Sequence, residues 1–301
     1  MDIISDIKYQ FRHGNTLMKL LLVNVLVFVI QSILLLFFYI GGQRDEYVIF
    51  LSRWLWLNDD LSILITRPWT IFTHMFMHDP SSVFHLLSNM LYLYFFGRIF
   101  ADFIQPKNAM PLYLLGGLVG AFVSIAVTNL IPAYHEMVGI PMVGASAAVM
   151  AIVLATATVA PNYSVFVIFI GPVKIKYLAL LVIIIDLVSI PSEYNLSGHV
   201  AHLGGALTGY LYIRSYQKNN NWFHWWPKFE GRVAGLFERK KPKIVYVNQT
   251  LRNQKPSSPS EAGKVEKQKK LDAILDKIKA GGYDSLSKAE KDFLFKISNE
   301  K

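Results

Sequence analysis

Long apolar runs broken by short polar connections fill residues 17–216. A helix rises about 1.5 Å per residue, so crossing hydrocarbon about 30 Å thick takes roughly 20 mostly apolar residues. That length predicts six membrane helices, at 17–40, 81–103, 109–131, 144–160, 175–190 and 198–216, the fourth and fifth being the shortest. The run 165–170 suits a strand, an interfacial piece or part of the fifth helix. The connection 41–80 interleaves Trp54, Trp56 and Trp69 with Leu55, Leu57 and Ile71, a mixture suited to the membrane–water boundary. Past residue 216 the pattern changes. Residues 217–247 mix aromatic rings with cations and predict an interfacial segment, and 248–263 form a polar linker rich in Ser, Pro, Gln and Asn. Residues 264–301 predict a small module of two short helices. Gly281 and Gly282 stop the first, Ser287 and Glu290 form a capping box for the second, and Leu271, Ile274, Leu275 and Ile278 line one face.

Composition supports lipid as the solvent for this chain: 53% of its 301 residues are hydrophobic and only 17% are charged. Absence of cysteine removes disulfides, thiol nucleophiles and thiolate metal sites. The formal charge of +9 is spread beside the apolar runs and along the tail rather than over one folded face, so nucleic acid is not expected as a partner. Lys8, Arg12, Lys19, Arg98, Lys107, Lys174, Lys176, Arg214 and Lys218 all fall on one side if the six helices alternate. Both termini are therefore expected to be cytoplasmic. Residues 1–16 form a short cytoplasmic segment that carries acidic residues and no clear cleavage site, so the first helix is expected to be retained.

Polar groups inside lipid are costly, which makes those that remain functional candidates. Asp79 and Pro80 are expected to start the second helix, with His85 and Asn89 following on one face at i and i+4. His202 lies about one turn into the sixth helix, and Ser146 lies near the start of the fourth. Alternation puts all four at a similar level below the outer surface. Gly205 and Gly209 share the face of His202, while Ala147, Ala151 and Ala155 place a small residue at every fourth position behind Ser146. Such seams let membrane helices approach closely enough for a short contact between Ser146 and His202. Read singly, each residue is more readily a packing residue or a satisfied buried histidine, whereas the set at one depth points to a site.

Three stretches in order, FTHMFMHDPSSVFHLLSNMLYLYFFG (72–97), GASA (144–147) and AHLGGALTG (201–209), resemble the rhomboid family of intramembrane serine proteases. The resemblance covers roughly residues 69–209. It implies an all-α polytopic fold with a six-helix core and cleavage of peptide bonds in or near transmembrane segments of other membrane proteins. It further implies Ser146 as nucleophile and His202 as general base without a third acidic member. His85, the Asn89 amide and the Ser146 backbone N–H would form the oxyanion hole, with no metal or cofactor. Such an enzyme would open to the extracytoplasmic side, and a bacterial cytoplasmic membrane is the natural setting. Transmembrane proteins and lipid would then be its partners, with a further protein or a second copy held by the C-terminal module.

The chain departs from the family pattern at three places. Gly144 is kept, but Ala147 stands where a glycine usually follows the serine, and Met150 where an aromatic ring often packs beneath the histidine. In the outer connection Trp69 precedes Thr70, and the arginine of the usual Trp–Arg pair is displaced to Arg67. Ala147 and Met150 are the best support for an alternative, an inactive rhomboid-like protein that binds or escorts membrane clients. Asp186 resembles a family aspartate and is expected to make a structural hydrogen bond, while His199 is a weaker candidate base than His202. His74 and His78 are expected to support the outer connection. A zinc site of His74, His78 and His85 is disfavoured, because no carboxylate with a metalloprotease motif accompanies them. An α/β-hydrolase is disfavoured by the missing final glycine of its elbow, and a solute transporter by the scarcity of charge near the midplane.

Overall fold

A computed structural model describes residues 15–192, 195–237 and 259–298. The N-terminal segment up to residue 14 and linker residues 248–258 lie outside the described residues. The chain divides into two compact units, Met1–Phe237 and Glu238–Lys301.

The first unit is a polytopic bundle of membrane helices. Its elements are α1 (Thr16–Ile40), α2 (Arg44–Trp54), α3 (Leu61–Thr66), α4 (Val83–Phe103), α5 (Ala109–Leu130), α6 (Ser146–Val159), α7 (Ile175–Ser189), α8 (Leu196–Tyr216) and α9 (Trp226–Phe237). Three segments, Thr16–Ile40, Val83–Phe103 and Pro106–Leu130, are long and apolar enough to cross a membrane by length and composition. Leu26, Ile30 and Phe37 on α1 and Leu180, Leu181 and Val188 on α7 are exposed, as side chains bathed in acyl chains would be. The 14 residues of α6 span only about 21 Å, short of the hydrocarbon thickness. Helix α6 is instead the centre of the bundle: ten of its residues are buried, against α4, α5 and α8.

One boundary differs from the one the sequence suggests, and one reading that the sequence leaves open is decided. Asp79 and Pro80 do not cap α4. Asp79 Oδ1 accepts the Ser81 N–H (2.8 Å) in a turn, and Ser82 is the true cap, its hydroxyl accepting the His85 N–H (3.3 Å). His85 is therefore only about 3 Å along the helix axis from Val83, with Asn89 about 9 Å along. Residues 165–170 belong to neither a helix nor the fifth span. They lie in an antiparallel hairpin of β1 (Ser164–Val167) and β2 (Gly171–Lys174). Its tip places Phe169 at φ 70° and Gly171 at φ 93°, so the all-α bundle carries one small strand pair.

Glycines set how closely the central helices meet. A Cβ on Gly116 of α5 would overlap the Ala151 Cβ, while its next neighbours, Ala147 O at 3.5 Å and Ala148 Cα at 3.6 Å, are in ordinary contact. Gly116→Ala is therefore expected to lower stability by about 1–3 kcal/mol through overpacking. Ala151→Gly in the same chain should recover most of the loss, short of the roughly 1 kcal/mol that a helical glycine costs. Thermal unfolding of the two single variants and the double variant in one detergent tests this. A double variant no more stable than Gly116→Ala would refute it.

The second unit holds α10 (Pro259–Gly281) and α11 (Lys288–Ser298). Helix α10 begins before residue 264, with Pro259 at a first-turn position that needs no N–H donor. Ser287 and Glu290 bond reciprocally: Ser287 N–H donates to Glu290 Oε2 (2.8 Å) and Glu290 N–H to Ser287 Oγ (3.4 Å). The Lys277 Nζ to Glu290 Oε1 contact (2.6 Å) ties α11 to α10. Ile274 and Leu286 are buried, whereas Leu275 is half exposed and stands off that face.

Candidate active site

The outer connection folds back on itself before α4 begins. Trp54 and Trp69 stack with ring centroids 6.2 Å apart and planes 2° from parallel. The Arg67 guanidinium sits 4.7 Å from the Trp54 centroid and donates to the Arg53 carbonyl (2.9 Å). The displaced arginine thus reaches a tryptophan face from its new position. Buried Asp59 clamps this connection to the loop ahead of α6 and to the start of α8. Its Oδ1 accepts the Gly139 N–H (2.7 Å), its Oδ2 accepts the Ser197 hydroxyl (3.4 Å), and its carbonyl accepts the Asn129 amide (2.8 Å). Neither feature is visible in a linear pattern, since each joins residues far apart in the chain.

His74 and His78 are buried beneath this connection. His74 Nδ1 donates to the Thr70 carbonyl (3.0 Å), and the His74 carbonyl accepts the Gly144 N–H (3.1 Å), which fixes the loop leading to Ser146. The His78 ring stands edge-on to His85 with centroids 5.3 Å apart. Burial pushes His74 down to about 4, and burial together with the nearby His85 pushes His78 down to about 3. Both rings are neutral when folded, while the unfolded chain takes up protons below about pH 6.5. Stability is therefore expected to fall with pH from about 6.5 toward 4, by up to about 1.4 kcal/mol per pH unit for each histidine. His78→Gln should flatten the dependence of the unfolding midpoint on pH in that window. An equal slope in parent and variant would exclude His78 as a source.

Ser146, His202, His85 and Asn89 line one cavity of about 630 Å³, together with Asp79 and the exposed Ser88 and Asn195. Met150, Gly144, Ala147 and Asp186 share the lining. Ser146 is the first residue of α6, so its N–H is one of the donors that a helix terminus leaves unpaired, at the positive end of the helix dipole. Gly144 takes φ +135°, which disfavours a side chain, and the space a Cβ would occupy is 2.9 Å from His85 Nε2 and 3.5 Å from Ser146 Oγ. A small gap is thereby kept between the imidazole and the hydroxyl. Asn89 is buried and gives one amide hydrogen to the His85 carbonyl (2.8 Å), leaving the second available.

The small-residue seam packs α8 directly on α6. A Cβ on Gly205 would overlap the Ala147 carbonyl oxygen, and one on Gly209 the Ala151 carbonyl oxygen. The methyl of Ala147 points toward α5, where the Cβ position of Gly120 lies only 2.7 Å from it. Gly120 thus makes the room that the methyl of Ala147 occupies. Met150 is buried in the cavity wall.

Sequence reasoning leaves one contact out. Asp186, on α7 and 3% exposed, accepts on Oδ1 from both His202 Nδ1 and His199 Nδ1, each at 2.8 Å. An ionised carboxylate only accepts, so both Nδ1 atoms carry protons and the Nε2 of His202 keeps its lone pair. A single acid in the fifth predicted helix could have signalled a partner on the sixth; the sixteen-residue separation hid which one. His199 is outside the cavity lining, whereas His202 is in it.

This is a polytopic membrane protein with a serine, two cavity-facing imidazoles and an amide gathered below one surface. The Rhomboid domain family matches residues 66–218, just over half of the chain, and the chain belongs to the rhomboid family. Residues 261–300 match a separate family of unknown function, DUF6576. The chain is 26% identical over 184 residues to presenilin-associated rhomboid-like protein A, mitochondrial, of Danio rerio, covering 60% of this chain and 42% of that one. It is 33% identical over 150 residues to RHOMBOID-like protein 12, mitochondrial, of Arabidopsis thaliana, covering 46% and 44%. With the human presenilin-associated rhomboid-like protein, mitochondrial, it shares 29% identity over 134 residues, covering 44% and 34%. The matches thus span less than half the length of each of these relatives.

Proposed function

We propose that the chain is an intramembrane serine endopeptidase that cleaves in or near the transmembrane segments of other membrane proteins. The observation that carries this reading is the convergence of Ser146, His202, His85 and Asn89 on one cavity, with Gly144 holding open the gap beside the Ser146 hydroxyl. His202 Nε2 takes the Ser146 proton as Oγ attacks the scissile carbonyl. Asp186 fixes the Nδ1–H tautomer and stabilises the imidazolium that forms, acting as a positioning group on the base. The Ser146 N–H, the His85 ring and the second Asn89 amide hydrogen receive the oxyanion. His202 then returns its proton to the leaving amine, and water admitted to the cavity hydrolyses the acyl-enzyme.

A regular helix holds its carbonyls in hydrogen bonds, so a substrate segment must unwind before attack, and helix-breaking residues near the cut are expected. The distribution of lysine and arginine supports cytoplasmic termini and a cavity open to the other side; only the relatives bear on which membrane this is, and those named are mitochondrial. The second unit serves as a docking or self-association element. The escort alternative draws on Ala147 and Met150, and its first support weakens because Gly120 accommodates the added methyl.

The test is covalent labelling of detergent-purified protein with a fluorophosphonate, the adduct located by peptide mass spectrometry. The expected result is a single adduct on Ser146. A protein with a cooperative thermal transition and no adduct, or an adduct on another serine, would overturn the reading.

A further inference from the structure

A carboxylate serving two imidazoles is also a set of metal ligands. Asp186 on α7 and His199 and His202 on α8 bring one ligand atom each within 4.8 Å of one another. His199 and His202 are three apart on one helix face, and both turn Nδ1 to the same Asp186 oxygen. The second oxygen, Asp186 Oδ2, is buried and has no hydrogen-bond partner among the described residues. A tetrahedral zinc site with bonds of about 2.0–2.1 Å sets its ligand atoms about 3.3 Å apart. The two 2.8 Å contacts to Asp186 need to open by about half an ångström, and the widest pair of ligand atoms, within 4.8 Å, needs to close by up to about 1.5 Å, movements that side-chain rotation on α7 and α8 can supply. His202 and Asp186 line the open cavity, which gives a hydrated ion a path in and leaves a coordination position toward it.

We propose that Asp186, His199 and His202 form an inhibitory site for a divalent ion of the zinc class. The inhibition rests on the peptidase reading above, and its chemistry is a change of tautomer. With Asp186 as partner, His202 carries its proton on Nδ1 and offers the Nε2 lone pair to Ser146. A metal that takes the place of the Nδ1 proton binds the Nδ1 lone pair, and that proton passes through solvent to Nε2, so the ring stays neutral as the Nε2–H tautomer. The base then has no lone pair to accept the serine proton, and the carboxylate that positioned it is occupied by the ion. Magnesium prefers oxygen ligands and retains its water, so it does not compete at a site with two imidazoles.

Binding is read first, on untagged full-length Ser146→Ala protein in detergent, by competition for Zn²⁺ with a chromophoric chelator. The expected result is one zinc per chain, with affinity lower by roughly 10- to 100-fold in Ser146→Ala chains that also carry His199→Ala or Asp186→Asn. Should His199→Ala fail to fold, His199→Gln and the ligand-field spectrum of bound Co²⁺ read the same ligands. Absence of stoichiometric binding, or binding indifferent to both substitutions, overturns the site. The second arm follows fluorophosphonate labelling of the parent with Zn²⁺, with Mg²⁺ and after a chelator, each variant compared with its own metal-free rate. Slowing by at least tenfold with zinc alone, reversed by the chelator and weakened in His199→Ala, is expected. Zinc bound without slowing overturns the inhibitory role. A parent that never labels defeats the peptidase reading and with it the inhibitory role, while the binding arm still decides the site.

Discussion

Ser146→Ala and His202→Ala are each expected to lower peptide-bond hydrolysis by about 10⁴- to 10⁶-fold, and the double variant is expected to be no slower than the worse of the two. In the proposed mechanism the two groups perform one proton transfer, which is why their losses do not add. Without His202 the Ser146 hydroxyl is a weak nucleophile at neutral pH, and without Ser146 the His202 base has no proton to take. What survives in either case is the oxyanion environment of the Ser146 N–H, His85 and Asn89, worth a residual rate above that of water. Asp186→Asn should fall between, because an amide can present the wrong group to Nδ1 and release the tautomer that faces Ser146. Cleavage of a reconstituted transmembrane substrate, quantified by mass spectrometry of both fragments, measures all four chains. A double variant slower than each single by the product of their effects would mean that the residues act in separate steps. Activity retained in Ser146→Ala would remove the serine mechanism outright.

Much of this arrangement was legible in the chain, and the legible part is the part set by local pattern. Apolar runs placed helices near the six observed positions, because hydrocarbon allows backbone polar groups few other partners, while only three of the described segments are long and apolar enough to span by themselves. His85 with Asn89 at i+4, and Ser146 ahead of a small-residue seam, needed only helix periodicity to be placed. What was not legible depends on one residue meeting another across the fold. The hairpin at 164–174 reads as apolar residues without strong period, so strand, interfacial piece and helix extension stay open until β1 is seen paired with β2 around the turn at Phe169 and Gly171. Ala147 looks like a departure until Gly120, twenty-seven positions earlier, is seen to receive its methyl. Arg67 looks misplaced until Trp54 is seen stacked on Trp69. Asp186 gains its second meaning only when α7 and α8 bring it to two histidines at once.

Gly205→Ala is expected to couple loss of stability to loss of chemistry, because the same contact sets both. The added Cβ would overlap the Ala147 carbonyl oxygen, a backbone atom that has no rotamer to move away, so α8 must separate from α6 or turn. Overpacking of this kind costs about 1–3 kcal/mol. His202 lies one turn before Gly205 on α8, and Ser146 is the neighbour of Ala147 on α6. The shift that relieves the clash therefore pulls base from nucleophile, and a displacement near 1 Å costs about 100-fold in rate. Gly209→Ala meets the Ala151 carbonyl in the same way one turn deeper, so it should destabilise comparably while moving the site less. Gly235→Ala in α9, where an added Cβ meets nothing within 4 Å, is the control and should leave labelling of Ser146 unaltered. Unfolding midpoints and fluorophosphonate labelling rates, taken on the same preparations, separate the two effects. If Gly205→Ala unfolds at the parental midpoint and labels at the parental rate, close packing of α6 on α8 is not what aligns the serine with the histidine.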